Sequence, residues 1–314
     1  MSPFAPQKCV NEAHFRGAKG DNEGPSNTLS LEQRVGESSI AEACNIISQR
    51  SNGFQPRVGL ILGSGLGLLA ERIENAHRIP YAEIPGFPQS RVPGHAGNFV
   101  LGYLSGVPVV AMQGRAHLYE GWTASKATFP LRCMHTLGIE SVIVSNASGG
   151  INPRFHSGQV VLIDSHIDWM NRSGINATDA NGGAARLGLP HRVGNPYDAS
   201  LLALAEQLAI QQGFALARGT YLATLGPNYE TRAEYRMFAK LGADMVGMST
   251  VPEVLLANQL GLKVLAFSIV TNVATPDVQS VTDHEEVLDW SRKAQSQLVP
   301  LIESILGTCG SGTL

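Results

Sequence analysis

A chain of 314 residues with 43% hydrophobic and 16% charged side chains has the balance of a globular protein large enough to bury an extensive core. A formal net charge of -3, without any Lys/Arg cluster, argues against a nucleic-acid partner. Cys9, Cys44, Cys133 and Cys309 are scattered and form no Cys-x-x-Cys pair, which argues against a zinc site or a disulfide framework and for reduced thiols in the cytoplasm.

Residues 1–35 are polar, rich in Gly, Pro, Asn and Ser, and show little periodicity, so a disordered tail is expected there, followed by a single domain over 36–314. Met1–Gly24 carries no long apolar stretch and does not read as a secretory signal. No apolar run reaches the roughly 18 residues that a membrane span needs. Ser38 and Ser39 are placed to cap a helix whose apolar face holds Ile40, Ala43, Ile46 and Ile47. Val58–Leu62 reads as a buried strand running into the glycine-rich turn Gly63-Ser64-Gly65-Leu66-Gly67. Phe99–Leu104 and Val107–Met112 flank Ser105-Gly106, a two-residue hairpin signal. Thr123–Leu137 reads as one helix, and Ser141–Ser145 as a buried strand ending in Asn146-Ala147-Ser148-Gly149-Gly150. Further strands are expected at Val160–Ile163, Gly219–Thr224, Met245–Met248 and Val264–Thr271, with helices at Ala199–Gln211, Thr231–Leu241, Val251–Leu260 and His284–Ile305. Residues 171–198 are loop-like.

This alternation predicts an α/β fold, a single domain with a mixed, mostly parallel central sheet flanked by helices. Such folds bind ligands at the carboxyl ends of their strands, where the polar and glycine-rich segments fall. The turn at Gly63–Gly67 has the makings of a phosphate cradle with Ser64 as an added donor. Its third glycine is misplaced for Gly-x-Gly-x-x-Gly, and no acidic residue ends a second strand about 20 positions on, which weakens a dinucleotide reading. Gly-x-Ser-x-Gly would need a glycine where Leu62 stands, so this is no hydrolase elbow. A plain tight turn remains the alternative. Arg115 and His117, two apart at the end of an apolar strand, point to one side and make a sensible clamp for a dianion.

Eight motifs then occur in order. They are Leu62–Gly67, Val92-Pro93-Gly94-His95-Ala96-Gly97, Gln113-Gly114-Arg115-x-His117-x-Tyr119-Glu120-Gly121, Asn146–Gly150, Gly226-Pro227-Asn228-Tyr229-Glu230-Thr231, Val246–Glu253, Thr271-Asn272 and His284-Glu285-Glu286-Val287. Over roughly residues 36–306 the set resembles the trimeric purine nucleoside phosphorylases. The resemblance implies phosphate held by Ser64, His95, Arg115, His117, Ser249 and the backbone N–H of Ala147. It implies ribose against Tyr119, Tyr221, Met248 and His284, and the base against Tyr229, Glu230 and Asn272. Asn272, Glu230 and His117 are the residues expected to matter most for chemistry. Inorganic phosphate is a co-substrate, no cofactor or metal is implied, and the assembly implied is a homotrimer acting on purine nucleosides.

These residue types suit that reaction. A ribosyl oxocarbenium ion between a departing purine and an incoming phosphate is helped by a dianion held through neutral donors and one Arg. An amide donating to purine N7 strengthens as the bond breaks, and that difference raises the rate. A Glu230 carboxylate only accepts, so it suits the N1–H of inosine or guanosine and opposes the N1 lone pair of adenosine, a mismatch that can cost ~10⁴-fold. In the related methylthioadenosine phosphorylases an Asp tends to stand at the Asn272 position. Departures from the family pattern are Ser148, where many relatives have Ala, and Tyr229, where animal members have Phe. Leu187 lies near the place of an aromatic residue borrowed from a neighbouring subunit. Competing readings are a methylthioadenosine or broader nucleoside phosphorylase, a nucleoside sensor without turnover, and an α/β dehydrogenase.

Overall fold

The computed structural model describes residues 31–63, 66–170, 194–273 and 284–310. Helix α1 (Leu31–Arg50) starts upstream of the cap expected at Ser38 and Ser39, and buries Ala43 and Ile47 completely. Strand β1 (Val58–Leu62) is buried at all five positions, as its unbroken apolar run requires. After the short helix α2 (Leu68–Glu71) come β2 (Glu74–Pro80), β3 (Asn98–Leu104) and β4 (Val107–Gln113). The β3–β4 hairpin turns on Ser105 at φ 51 and Gly106 at φ 77, the twist that two-residue hairpins favour.

The helix expected over 123–137 is broken in two, α3 (Ala124–Ala127) and α4 (Phe129–Thr136). Pro130 has no N–H and is tolerated only in a first turn, so the chain restarts at Thr128. The strand expected to end at Ser145 instead runs on as β5 (Ser141–Gly150). Its polar tail pairs in parallel with β9 (Lys263–Val273), and its last two residues pair antiparallel with β8 (Met245–Gly247). This polar segment is strand because neighbours on both sides satisfy its backbone.

β6 (Val160–Asp168) and β7 (Ala217–Ala223) complete the sheet. The strand order is β2-β3-β4-β1-β5-β8-β7-β6-β9, with β5 and β9 also paired. That extra pairing closes five strands, β5, β8, β7, β6 and β9, into a ring. Helices α5 (Ala199–Gln211) and α8 (His284–Gly310) pack together and on β9, while α1 packs on α4. Asp198 caps α5 by accepting from Ser200 N at 3.0 Å and Leu201 N at 2.9 Å. Helices α6 (Arg232–Lys240) and α7 (Val251–Gln259) follow β7 and β8. The fold is thus the α/β layering expected, with a mixed sheet. No helix among the described residues is long and apolar enough to cross a membrane.

β1 and β5 run side by side in parallel, and Gly63 sits where they come closest to Arg115. A Cβ on Gly63 would lie 2.6 Å from the Ser145 carbonyl oxygen and 2.9 Å from Arg115 Nη2, whereas one on Gly67 meets nothing closer than 3.7 Å. Gly63→Ala is therefore expected to cost about 1–3 kcal/mol of unfolding free energy in denaturant titration, as overpacking does. Gly67→Ala is expected to stay within about 0.5 kcal/mol. Equal losses in both would overturn the close-approach account.

Candidate active site

A cavity of about 490 Å³ lies where β4, β5 and β9 end and β8 gives way to α7. Its wall includes Arg115, His117, Tyr119, Ala147, Tyr229, Glu230, Met248, Ser249 and Asn272, which the sequence had placed in one site. The anion-binding candidates collect at one end. Arg115 is only 1% exposed, and a buried cation demands partners. It donates to the Ser145 carbonyl, to Thr250 Oγ1 at 3.4 Å and lies 3.6 Å from Glu253 Oε1. Those anchors reach the guanidinium from β5 and α7, so its position is set before any ligand arrives.

Gly114, at φ +100, brings Arg115 to the rim, because a Cβ there would lie 2.6 Å from His95 Cβ. His95 Nδ1 is 2.8 Å from the Arg115 carbonyl oxygen, so that nitrogen carries the proton. Burial, with His117 and Arg115 nearby, lowers its pKa to about 3, so His95 is neutral. Its ring stacks on His117 at 5.2 Å, and His117 stacks on Tyr119 at 4.9 Å. Glu120 accepts from His117 N at 2.8 Å and Arg91 N at 2.8 Å, and lies 3.3 Å from His117 Nδ1. Burial works against the Glu120 charge, but these hydrogen bonds and one from Ser90 hold its pKa to about 2. A carboxylate on Nδ1 leaves His117 Nε2 as the nitrogen available to a ligand.

Thr250 stands at φ 73, ψ -51, with Val251 N donating to Ser249 O at 2.8 Å. This γ-turn is strained for a β-branched residue. The turn leaves Ser249 facing the cavity and starts α7 behind it.

The opposite end holds the candidate base readers. Thr231 and Glu234 form a reciprocal capping box at the start of α6, with Thr231 N donating to Glu234 Oε2 at 2.7 Å. The cap fixes Glu230 just before the helix and Tyr235 one turn in. Thr224 Oγ1 donates to Glu230 Oε1 at 3.1 Å. Burial pushes the Glu230 carboxyl above its usual range, against hydrogen bonds from its own N–H, Thr224 and Tyr235. Tyr235 also bonds the Asn272 side chain, so one phenol ties the two base candidates together. Thr271 Oγ1 lies 3.2 Å from Asn272 Oδ1, which turns the Asn272 amide N–H groups to the remaining partners.

Not every expected residue reaches the wall. Ser64 lies outside the described residues, as does the side chain of His284, the first residue of α8. Leu187 is likewise outside them. Tyr221 is fully buried behind Ser249, whose N–H it accepts at 3.4 Å, and it does not line the cavity. His95 backs His117 rather than the wall. Sequence reasoning passed over Tyr235, Asn146, Thr250 and Glu253. Tyr235 had a usable signal, four residues past the helix-capping Thr231. Among the described residues no cluster of three His, Cys, Asp or Glu side chains is placed to hold a metal ion. Cys44 and Cys133 are buried free thiols.

Comparison with known proteins adds the family. The phosphorylase superfamily model matches residues 57–307. Purine nucleoside phosphorylase 1 of Bacillus subtilis is 44% identical over 252 residues, 80% of this chain and 92% of that protein. The crystal structure of Schistosoma mansoni purine nucleoside phosphorylase in complex with inosine superposes with a TM-score of 0.78 at 36% identity, covering 86% of this chain and 96% of that one. Isoform 2 of the Schistosoma mansoni enzyme, in complex with cytosine and ribose-1-phosphate, superposes with a TM-score of 0.75 at 37% identity over the same shares. Identity at that level, across nine-tenths of a relative and over the segments that build the cavity, exceeds what a shared fold alone would leave: this chain belongs to the purine nucleoside phosphorylase family.

Proposed function

We propose that the protein cleaves 6-oxopurine ribonucleosides and deoxyribonucleosides with inorganic phosphate, giving the free base and the sugar 1-phosphate. The observation that carries this reading is the polarity of the cavity. Buried Arg115, with His117 and Ser249, stands at one end, and Glu230, Tyr235 and Asn272 at the other. An anion held at the first end and a base held at the second put a ribose between them, in line for displacement at its anomeric carbon.

In this reading Arg115, His117, Ser249 and the Ala147 N–H hold phosphate, with Ser64 added and His95 as support for His117. Tyr119, Met248 and His284 cover the ribose, with Tyr221 acting from behind Ser249. Tyr229 packs on the base. Asn272 donates to N7 as the leaving purine gains charge, which stabilises the transition state more than the ground state. Glu230 accepts from N1–H. Phosphate is the co-substrate, and no other cofactor takes part. Resemblance to the family makes a cytoplasmic homotrimer the expected form. Exposed Trp169, Met237 and Leu241, with Trp169 set edge-on to Phe238 at 6.3 Å, offer apolar surface for a subunit contact.

The direct measurement is hypoxanthine release from inosine with and without phosphate. Release that depends on phosphate is expected, and its absence leaves a nucleoside-binding role instead. Asn272→Asp is expected to lower inosine turnover while adenosine cleavage rises. Unchanged selectivity would remove Asn272 from base reading.

A second outcome concerns pH. The buried Glu230 carboxyl titrates above the ordinary glutamate value, and as a carboxylate it accepts the base N1–H far more strongly than the protonated acid does. Base affinity is therefore full above that raised pKa and is lost as pH falls through it. Calorimetric titration of hypoxanthine across this range is expected to show the acid limb in the native protein. Glu230→Gln is expected to bind more weakly and without that limb. The same limb in the variant would assign the titration to another group.

A further inference from the structure

Beneath the anion end, five side chains form a chain of hydrogen bonds that crosses from β9 and β5 to the β8–α7 turn. Ser268 Oγ lies 2.6 Å from Asn146 Oδ1 and 2.6 Å from Ser148 Oγ. Asn146 Nδ2 donates to Thr250 Oγ1 at 2.8 Å. Thr250 Oγ1 lies 3.3 Å from Ser249 Oγ. All five residues are buried, at 8% exposure or less, and Asn146, Ser148 and Ser249 also border the cavity.

The direction of every bond follows from counting protons. Asn146 Oδ1 only accepts, so Ser268 spends its single proton on it. Ser148 must then donate to Ser268. Thr250 Oγ1 receives an N–H from Asn146 and another from Arg115 Nη1 at 3.4 Å, which fills its two lone pairs. Its own proton remains for Ser249 Oγ. Tyr221, which accepts the Ser249 N–H, also touches the Ser249 side chain and stays a protonated phenol, its pKa raised by burial to about 12. Ser249 thus receives a proton from Thr250, and its own is shared between the Tyr221 oxygen and the cavity until an anion, the stronger acceptor, takes it. The bonds run one way, Ser148 to Ser268 to Asn146 to Thr250 to Ser249.

We propose that Asn146 and Ser268 are positioning residues that fix the direction of this hydrogen-bond chain, so that the Ser249 hydroxyl faces the cavity as a donor to phosphate and not as an acceptor. The inference rests on the phosphorolysis reading above. Were the Asn146 amide turned over, Thr250 would donate to it and draw the Ser249 proton inward, leaving a lone pair against the anion. Ser268, fully buried on β9 and paired in register with Asn146, prevents that turn by presenting a donor to the amide oxygen. Neighbouring donors strengthen one another in a chain with one direction.

The test is steady-state phosphorolysis of inosine by native protein, Ser268→Ala, Ser249→Ala and the double variant. Ser268→Ala is expected to raise the KM for phosphate about 3- to 10-fold, the scale of a weakened bond to a charged acceptor, with the KM for inosine unchanged. In the Ser249→Ala background the same substitution is expected to add nothing, because the two act through one hydroxyl. Thr250→Val keeps the shape, breaks the chain at its middle, and is expected to raise phosphate KM while abolishing the effect of Ser268→Ala. Multiplicative effects of Ser268→Ala and Ser249→Ala, or equal rises in both KM values, would overturn the proposal and leave Ser268 a packing residue. If Ser268→Ala does not fold, Thr250→Val decides: a rise in phosphate KM that disappears in the Ser249→Ala background supports the chain, whereas no rise, or one that persists there and so acts through Arg115, overturns it. Native protein without phosphate-dependent turnover would sink the phosphorolysis reading itself, a result distinct from all of these.

Discussion

Arg115 carries its charge at a position only 1% exposed, on the wall of the cavity, and much of the site's organisation answers to that fact. An isolated buried cation costs several kcal/mol, and removing one partner of a buried pair is correspondingly severe. The protein meets the demand from two directions. The Ser145 carbonyl on β5 and the Glu253 carboxylate on α7 take part of the guanidinium, and Thr250 takes another N–H. The close parallel approach of β1 to β5, made possible by Gly63, leaves room for the side chain. The strained turn at Thr250 is tolerated because three groups hold the residue: Asn146, Arg115 and the start of α7.

The two ends of the cavity are built differently. The anion end is mostly strand-borne and backed by the ring of five strands, with side chains locked by buried hydrogen bonds. The base end hangs on a helix cap. Thr231 and Glu234 start α6, and that cap sets Glu230 and Tyr235 within reach of Asn272 on β9. On the proposed reading, rigid elements hold the small symmetric ligand, and a loop-to-helix transition holds the one that must be read for identity.

Much of this was legible in the chain. Unbroken apolar runs such as Val58–Leu62 marked the buried strands, and the polar clusters after them marked the rim. The hairpin at Ser105-Gly106 was readable from local turn chemistry. The rest depended on partners far away in sequence. Asn146–Gly150 is a polar strand end whose pairing comes from distant β8 and β9, and ring closure through β5 and β9 leaves no local mark. Tyr221, expected at the ribose from its family position, is fully buried and does not line the cavity. Asn146, Ser268 and Thr250 are ordinary small polar residues in apolar surroundings. Their importance lies in which proton each gives up, which no spacing rule reports.

Ring closure bears on how copies of the chain meet one another. An open sheet ends in two rows of unpaired backbone groups, each a template for a foreign strand. Here β5 pairing with β9 seals one side, and among the described residues β2 is the strand left at the margin. That margin is poor ground for an intruder. Its register shifts between Glu74 and His77, Arg78 on it is tied to Glu71 at 2.7 Å, and it stops at Pro80. Among the described residues, the nine-stranded sheet thereby has one kinked, charged border to defend against edge-to-edge aggregation.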